Sequence, residues 1–192
     1  MTAVIGTKAA GKDELANYLA EKYPVVSIAI GAFARRLAEE ADSDEPHMRY
    51  DLSAKNLADY GAEHVMSRLI AEIMESDETE ALVVTGVRTP AEAASLKLYF
   101  EDELLLVHVK VGDQETRYER VVKRNFSSDP DEYQDFVRQD EQMKADYKLA
   151  ETAVMADLTL WNNDSLDAFY EQIETHIVPH LFPSNNQEGG AQ

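Results

Sequence analysis

Gly6-Thr7-Lys8-Ala9-Ala10-Gly11-Lys12 is the stretch whose reading decides the fold. It fits G-x-x-x-x-G-K. Before it stands a short apolar run at residues 3–5. After it, residues 11–22 have helical spacing, with Leu15, Tyr18 and Leu19 on one face. A strand that runs into a glycine-rich turn and out into a helix is the context this motif requires. The glycines let the backbone turn tightly and aim its N–H groups inward. The helix N-terminus adds its dipole, and Lys12 adds a mobile point charge. The expected ligand is the phosphate chain of a nucleotide, held by Gly6, Thr7, Lys8, Ala9, Ala10, Gly11 and Lys12, with Asp13 and Glu14 as further candidates of the nucleotide site.

Outward from the loop, strand-like and helix-like segments alternate. Residues 25–30 (VVSIAI) read as a second strand after Pro24, and Gly31 opens a helix to about residue 41. Residues 42–49 are polar and turn-like. Residues 52–75 form a long amphipathic stretch, with a break expected near Gly61. Residues 81–84 are a third strand. Thr89-Pro90 supplies an N-cap and a first-turn proline for a helix to residue 100. A fourth strand at 104–111 leads to a helix with a basic face at 114–125. A helix opened by Asp129-Pro130 runs to about residue 155. A fifth strand spans 158–161, and a closing helix spans 165–180. Alternation of this kind predicts an α/β fold in three layers, a five-stranded parallel sheet covered by helices on both faces. Ligands then bind beyond the carboxyl ends of the strands. One domain is expected over residues 1–182, with a disordered tail at 183–192.

Composition narrows the function further. The chain has 192 residues, of which 44% are hydrophobic and 29% charged, and it has no cysteine. Disulfides, thiolate catalysis and zinc–thiolate sites are excluded. No apolar run approaches the roughly 20 residues of a membrane helix, and the first residues do not read as a signal peptide. A cytoplasmic protein with no membrane partner is the expectation. The net charge of −19 repels nucleic acid, so no nucleic-acid partner is expected. It also means that any anionic ligand must be held by a few well-placed Lys and Arg.

Several later segments, taken with the loop, resemble the nucleotide-kinase branch of P-loop proteins, above all dephospho-CoA kinase-like and deoxynucleoside monophosphate kinase-like proteins. Gly6 to Asp13 resembles a G-x-K-x-x-G-K-D phosphate loop. Ile30-Gly31-Ala32-Phe33-Ala34-Arg35 resembles the M-G-D-x-x-R segment after strand two. Val84-Thr85-Gly86-Val87-Arg88-Thr89-Pro90-Ala91-Glu92 resembles D-G-I-R-x-P-x-E after strand three. Arg117, Arg120 and Arg124 resemble the arginines of a lid, expected over about residues 112–150. Phe136-Val137-Arg138-Gln139-Asp140-Glu141 resembles F-x-x-R-D-x-x-E, and residues 156–163 resemble the A-D-x-x-I-x-N turn after the last strand. The resemblance implies a P-loop NTPase fold, ATP and Mg²⁺ as cofactors, and a small nucleotide substrate.

It also assigns the candidates. Lys12 with Arg117, Arg120 and Arg124 would be catalytic, the three arginines forming one helical face that either meets the transferring phosphate or is simply a solvated basic stripe. Arg35 and Arg88, past the ends of strands two and three, would hold the acceptor, unless they form surface ion pairs. Arg36 adjoins Arg35 and can replace it. Asn162 would border the donor base. Two usual acidic positions are neutral, at Ala32 and Thr85, while an acid, Asp13, follows Lys12 where a hydroxyl is usual. Asp13 is either a rebuilt Mg²⁺ ligand or, with Glu14, a helix cap. The functions left open are an ATP-dependent kinase and a nucleotide-binding module with little transferase activity.

Overall fold

The computed structural model describes residues 1–40, 62–75, 81–126 and 129–183. Its spine is a five-stranded sheet in the order β2-β3-β1-β4-β5, with every pairing parallel. The strands are β1 (Thr2–Ile5), β2 (Val25–Ala29), β3 (Ala81–Val87), β4 (Leu105–Lys110) and β5 (Leu158–Trp161). All four residues of β1 are buried. Strands enclosed on both faces are predominantly apolar; Ala3, Val4 and Ile5 fit this, Thr2 is the polar exception, and this central strand delivers the chain directly into Gly6.

Alternate side chains divide the core between the two faces of the sheet. Ala3, Ile5, Val84 and Leu106 pack with Ile30, Phe33, Leu69 and Leu96. These come from α2 (Ile30–Glu40), α3 (Ala62–Glu75) and α4 (Pro90–Phe100). Val4, Val83, Val107 and Leu160 pack on the other face with Leu15, Leu19, Phe169 and Ile173, from α1 (Lys12–Lys22) and α8 (Leu166–His176). In α3 the buried residues Val65, Met66, Leu69 and Ile70 recur at helical spacing. Burial of one such Leu or Ile is worth roughly 1.5–3 kcal/mol, so this stripe fixes the helix on the sheet. The remaining α-helices among the described residues are α5 (Gln114–Arg124), α6 (Tyr133–Asp146), α7 (Leu149–Val154) and α9 (Val178–Leu181), and a short 3-10 helix spans Glu101–Glu103.

Several boundaries differ from the sequence reading. Strand β2 stops at Ala29, and α2 begins at Ile30 rather than Gly31. Strand β3 runs three residues beyond 84 because Gly86, at φ 88, forms a bulge. The register moves from Val4↔Thr85 to Ile5↔Val87 across it. The expected helix at 130–155 is two helices, α6 and α7, because Lys148 takes the left-handed conformation at φ 51; its carbonyl accepts the N–H groups of Glu151 and Thr152. The closing helix breaks at Ile177, since Pro179 offers no N–H to continue α8. The expected turn at 42–49, the helical stretch 52–61 with its break near Gly61, and residues 184–192 lie outside the described residues. No described helix is long and apolar enough to cross a membrane.

Candidate nucleotide-binding site

The loop geometry explains its two glycines. A Cβ on Gly6 would lie 2.7 Å from the Val109 carbonyl oxygen of neighbouring β4. Gly11 stands at φ 107, and a Cβ there would meet Asn162 Nδ2 at 2.2 Å. Ala9 is also left-handed, at φ 60, and the turn closes with Ala10 N–H donating to Thr7 O at 3.3 Å. Gly11 caps α1 with no side-chain hydrogen bond, so no side chain takes up the first N–H groups of the helix. The result is a strained, open-ended cradle whose polar groups are backbone donors.

Lys12 curls back over this cradle, its Nζ donating to Thr7 O at 2.8 Å. Burial pulls its pKa down to about 8; Asp13 opposes this, while Arg88, Arg124 and Arg117 push the same way. Cations from two places, Arg88 past the end of β3 and Arg117 and Arg124 on α5, therefore act on Lys12 in a chain of net charge −19. Such convergence favours an anion at the loop. Asp13 is exposed and makes no hydrogen bond among the described residues. Glu14 is turned away: its carboxylate accepts from the Tyr170 hydroxyl on α8, and Tyr170 stacks on Tyr18 at 4.1 Å. Glu14 thus joins two helices.

The three arginines of α5 share a face and meet three different fates. Arg117 is buried, paired with Asp140 of α6 through two contacts of 2.6 Å. It also donates to Lys8 O at 3.2 Å. Arg117 therefore braces the loop through the Lys8 carbonyl. Burial by itself would raise the Asp140 pKa, but hydrogen bonds from Arg117, Lys144 and Gln114 outweigh it and hold the carboxyl at about 2. Arg120 donates to Asn162 O at 2.8 Å and to Ala9 O at 3.5 Å. Arg124 holds Asp129 at 2.7 and 2.9 Å, and Asp129 also takes Lys8 Nζ at 2.7 Å. Arg124 leads in keeping Asp129 at about 2, against burial and with help from Lys8.

Asn162 is buried and pins the loop, donating from Nδ2 to Ala10 O at 2.9 Å. Its own N–H donates to Lys110 O at 2.9 Å. The loop is thus clamped from β5 as well as from α5. On the other side, Arg88 is fixed at the end of β3 by Glu92, whose Oε2 accepts the N–H groups of Arg88 at 2.6 Å and Thr89 at 3.0 Å. Thr89 returns the contact in a capping box. The Arg88 guanidinium donates to the Tyr147 hydroxyl at 3.1 Å and lies 5.1 Å from that ring. A Cβ on Gly31 would lie 3.6 Å from Arg88 Nη2 and 3.8 Å from Arg35 Nη1. The two arginines flank one point, and the glycine keeps it open. Arg36 instead pairs with Glu72 of α3 at 2.7 Å.

The structure adds Asp129, Asp140 and Tyr147 to the site. Asp140 stood within a quoted motif, but its pairing with Arg117 spans 23 residues and has no local signature. For a divalent cation, the described residues hold no cluster of three His, Cys, Asp or Glu, and Thr85 is buried at 3% exposure. Asp13, unengaged beside Lys12, fits Mg²⁺ as a single carboxylate ligand, since that ion is commonly held by one or two carboxylates together with substrate phosphates and water.

Comparison with known proteins agrees with this geometry. The family described as AAA domain matches residues 3–148. A UPF0200 protein of Staphylothermus marinus is 34% identical over 111 residues, 58% of this chain and 56% of its own length. A UPF0200 protein of Saccharolobus islandicus is 28% identical over 172 residues, 89% of this chain and 88% of its own. Among solved structures, shikimate kinase from Acinetobacter baumannii, in complex with shikimate, superposes with a TM-score of 0.57 at 15% identity. That alignment covers 97% of this chain and 94% of the kinase. The family match spans most of a chain that carries a five-stranded parallel sheet and a phosphate loop, and the chain belongs to the AAA domain family.

Proposed function

We propose that this protein is an ATP-dependent phosphotransferase acting on a small nucleotide or nucleotide-like acceptor, such as a nucleoside monophosphate or dephospho-CoA. The observation that carries the reading is the arrangement of cations on two sides of Lys12. Arg120, Arg124 and Lys8 lie on the α5 side. Arg35 and Arg88 flank Gly31 at the ends of β2 and β3. Phosphoryl transfer asks for positioning and charge neutralisation of a donor and an acceptor, and two cationic groups beside one phosphate cradle supply both.

In this reading the loop N–H groups and Lys12 bind the β- and γ-phosphates, and Lys12 leaves Thr7 O to do so. Arg120 and Arg124 neutralise charge that spreads over the transferring group. Arg35 and Arg88 orient the acceptor. Asp13 would hold Mg²⁺, which when bound neutralises phosphate oxygens. Residues 1–182 would act as one domain, with α5 and α6 as its lid.

A second reading, nucleotide binding with little transfer, is favoured by the neutral side chains at Ala32 and Thr85. Incubation with Mg-ATP and a panel of nucleoside monophosphates, dephospho-CoA and shikimate, the ligand of the similar kinase, decides between them. Acceptor-dependent ADP release that drops in Arg35→Ala and Arg88→Ala, with ATP affinity retained, supports the kinase. ATP binding with no acceptor-dependent ADP release supports the binding module.

A further inference from the structure

A cavity of about 310 Å³ opens beside the phosphate loop, bounded by Thr7, His108, Gln114, Arg117, Leu149 and Ala153 among others. Its volume is at the small end for small-molecule sites. His108 is placed by the sheet: it stands in register with Ile5, the residue before Gly6. Two residues on from Leu106, it lies on the sheet face that carries α4 and α7.

The polar groups around this cavity are almost all engaged. Arg117 is committed to Asp140 and Lys8 O. Gln114 donates to Asp140 and Glu141. Lys144, from α6, pairs with the same two acids. Asp113 caps α5 through Thr116, and Lys110 lies over the Trp161 ring at 4.7 Å. His108 is the titratable lining group whose side chain has no such partner among the described residues.

We propose that His108 is the proton acceptor for phosphoryl transfer to a hydroxyl-bearing acceptor whose reacting end sits in this cavity. The inference rests on the kinase reading and deepens it by naming the nucleophile. A phosphate acceptor already carries an anionic oxygen near neutral pH, whereas an alcohol must lose its proton as it attacks. The acceptor O–H proton passes to an imidazole nitrogen while its oxygen bonds to the γ-phosphorus. The bond from that phosphorus to the β,γ-bridging oxygen breaks, and ADP leaves with the electron pair.

The surroundings suit the role. Burial, then Lys110 of β4 and Lys12 of α1, lower the His108 pKa below its ordinary value, so the ring is a neutral base at pH 7. From α5 and α6 come Arg117 and Lys144, paired with Asp140 and Glu141; Asp113 is the one carboxylate in the lining itself, and α7 presents the apolar Leu149, Ala150 and Ala153.

The test uses the full chain with Mg-ATP, in wild type, His108→Gln and His108→Ala, from pH 5.5 to 9. Hydroxyl acceptors (dephospho-CoA, shikimate) are set against phosphate acceptors (AMP, CMP, UMP, dTMP), and phosphorylated products are identified. Affinity for a non-hydrolysable ATP analogue shows that each variant is folded. The expected result is transfer to a hydroxyl, with kcat reduced roughly 100-fold in both variants, KM for ATP within about twofold, and the acid limb of the pH profile gone. Unchanged kcat and profile in the variants, or transfer by wild type to phosphates alone, overturns the inference while leaving the kinase standing. Wild type that binds the analogue but phosphorylates no acceptor removes the kinase reading, and this inference with it.

Discussion

The phosphate loop and the arginine face of α5 stand against each other, and both carry charge chemistry, but they are built in opposite ways. In the loop the working groups are backbone, and the turn is shaped within seven residues by Gly6, Ala9 and Gly11 before Asn162 and Arg117 clamp it. On α5 the working groups are long side chains, and geometry is set by partners elsewhere in the chain: Asp140 for Arg117, Asn162 and Ala9 for Arg120, Asp129 for Arg124. Identical residues at regular spacing thus acquire a prop, a clamp and a latch. What differs is where the information sits, locally in the loop and across the fold on the helix.

Breaking the prop has the largest expected effect. Asp140→Asn leaves the buried Arg117 guanidinium without its counter-charge, a loss of about 3 kcal/mol or more for a buried pair. Denaturant unfolding should show that drop, with weaker nucleotide binding because Arg117 no longer braces Lys8. A variant as stable as wild type would mean that α5 depends on its long-range partners no more than the loop does. Acid does the same to wild type. With Asp140 held at about 2, below an ordinary carboxylate, its stabilisation is full above the ordinary carboxylate range and is lost as pH falls towards 2.

A smaller effect is expected from pH at the loop. Lys12, near 8 in the free protein, is an ammonium below that value and loses its proton above it. Phosphate binding restores the proton, so triphosphate affinity should fall by up to about tenfold per pH unit above 8. Titrations at pH 7, 8 and 9 would show the slope, and Lys12→Arg should flatten it because arginine stays charged. A wild-type affinity that is level across this range contradicts the placement of Lys12.

The latch gives the smallest change. Asp129 occupies both Lys8 and Arg124, two cations that entering phosphates also attract. Asp129→Asn should release them and tighten triphosphate binding by less than about tenfold, more at low salt than at high. Weakened binding would show instead that Asp129 positions these cations for the phosphates.

This contrast also explains what could be read from the chain before its structure. The five strands, their parallel direction and the phosphate loop rest on local signals, namely apolar runs, the glycines and the Thr89-Pro90 start, and all appear in the fold. The breaks at Lys148 and Ile177 escaped because helical periodicity continues across them while a single left-handed residue or a missing N–H interrupts the helix. Among site residues, Arg35 and Arg88 do meet at one point, since their place past strand ends follows from topology. The loop contacts of Arg117 and Asn162 did not follow from the sequence. Both bind loop carbonyls, and nothing in their neighbourhoods in sequence says which carbonyl lies within reach.

The central claim, that the loop from Gly6 to Lys12 binds the phosphates of a nucleotide, is tested most directly by calorimetric titration of wild type and Lys12→Ala with ATP and with adenosine. The account predicts saturable binding of ATP to wild type, no comparable binding of adenosine, and at least about a tenfold loss of ATP affinity in a Lys12→Ala protein that remains folded, as expected for a charge-assisted phosphate contact. ATP affinity unchanged by Lys12→Ala, or adenosine bound as tightly as ATP, would contradict it.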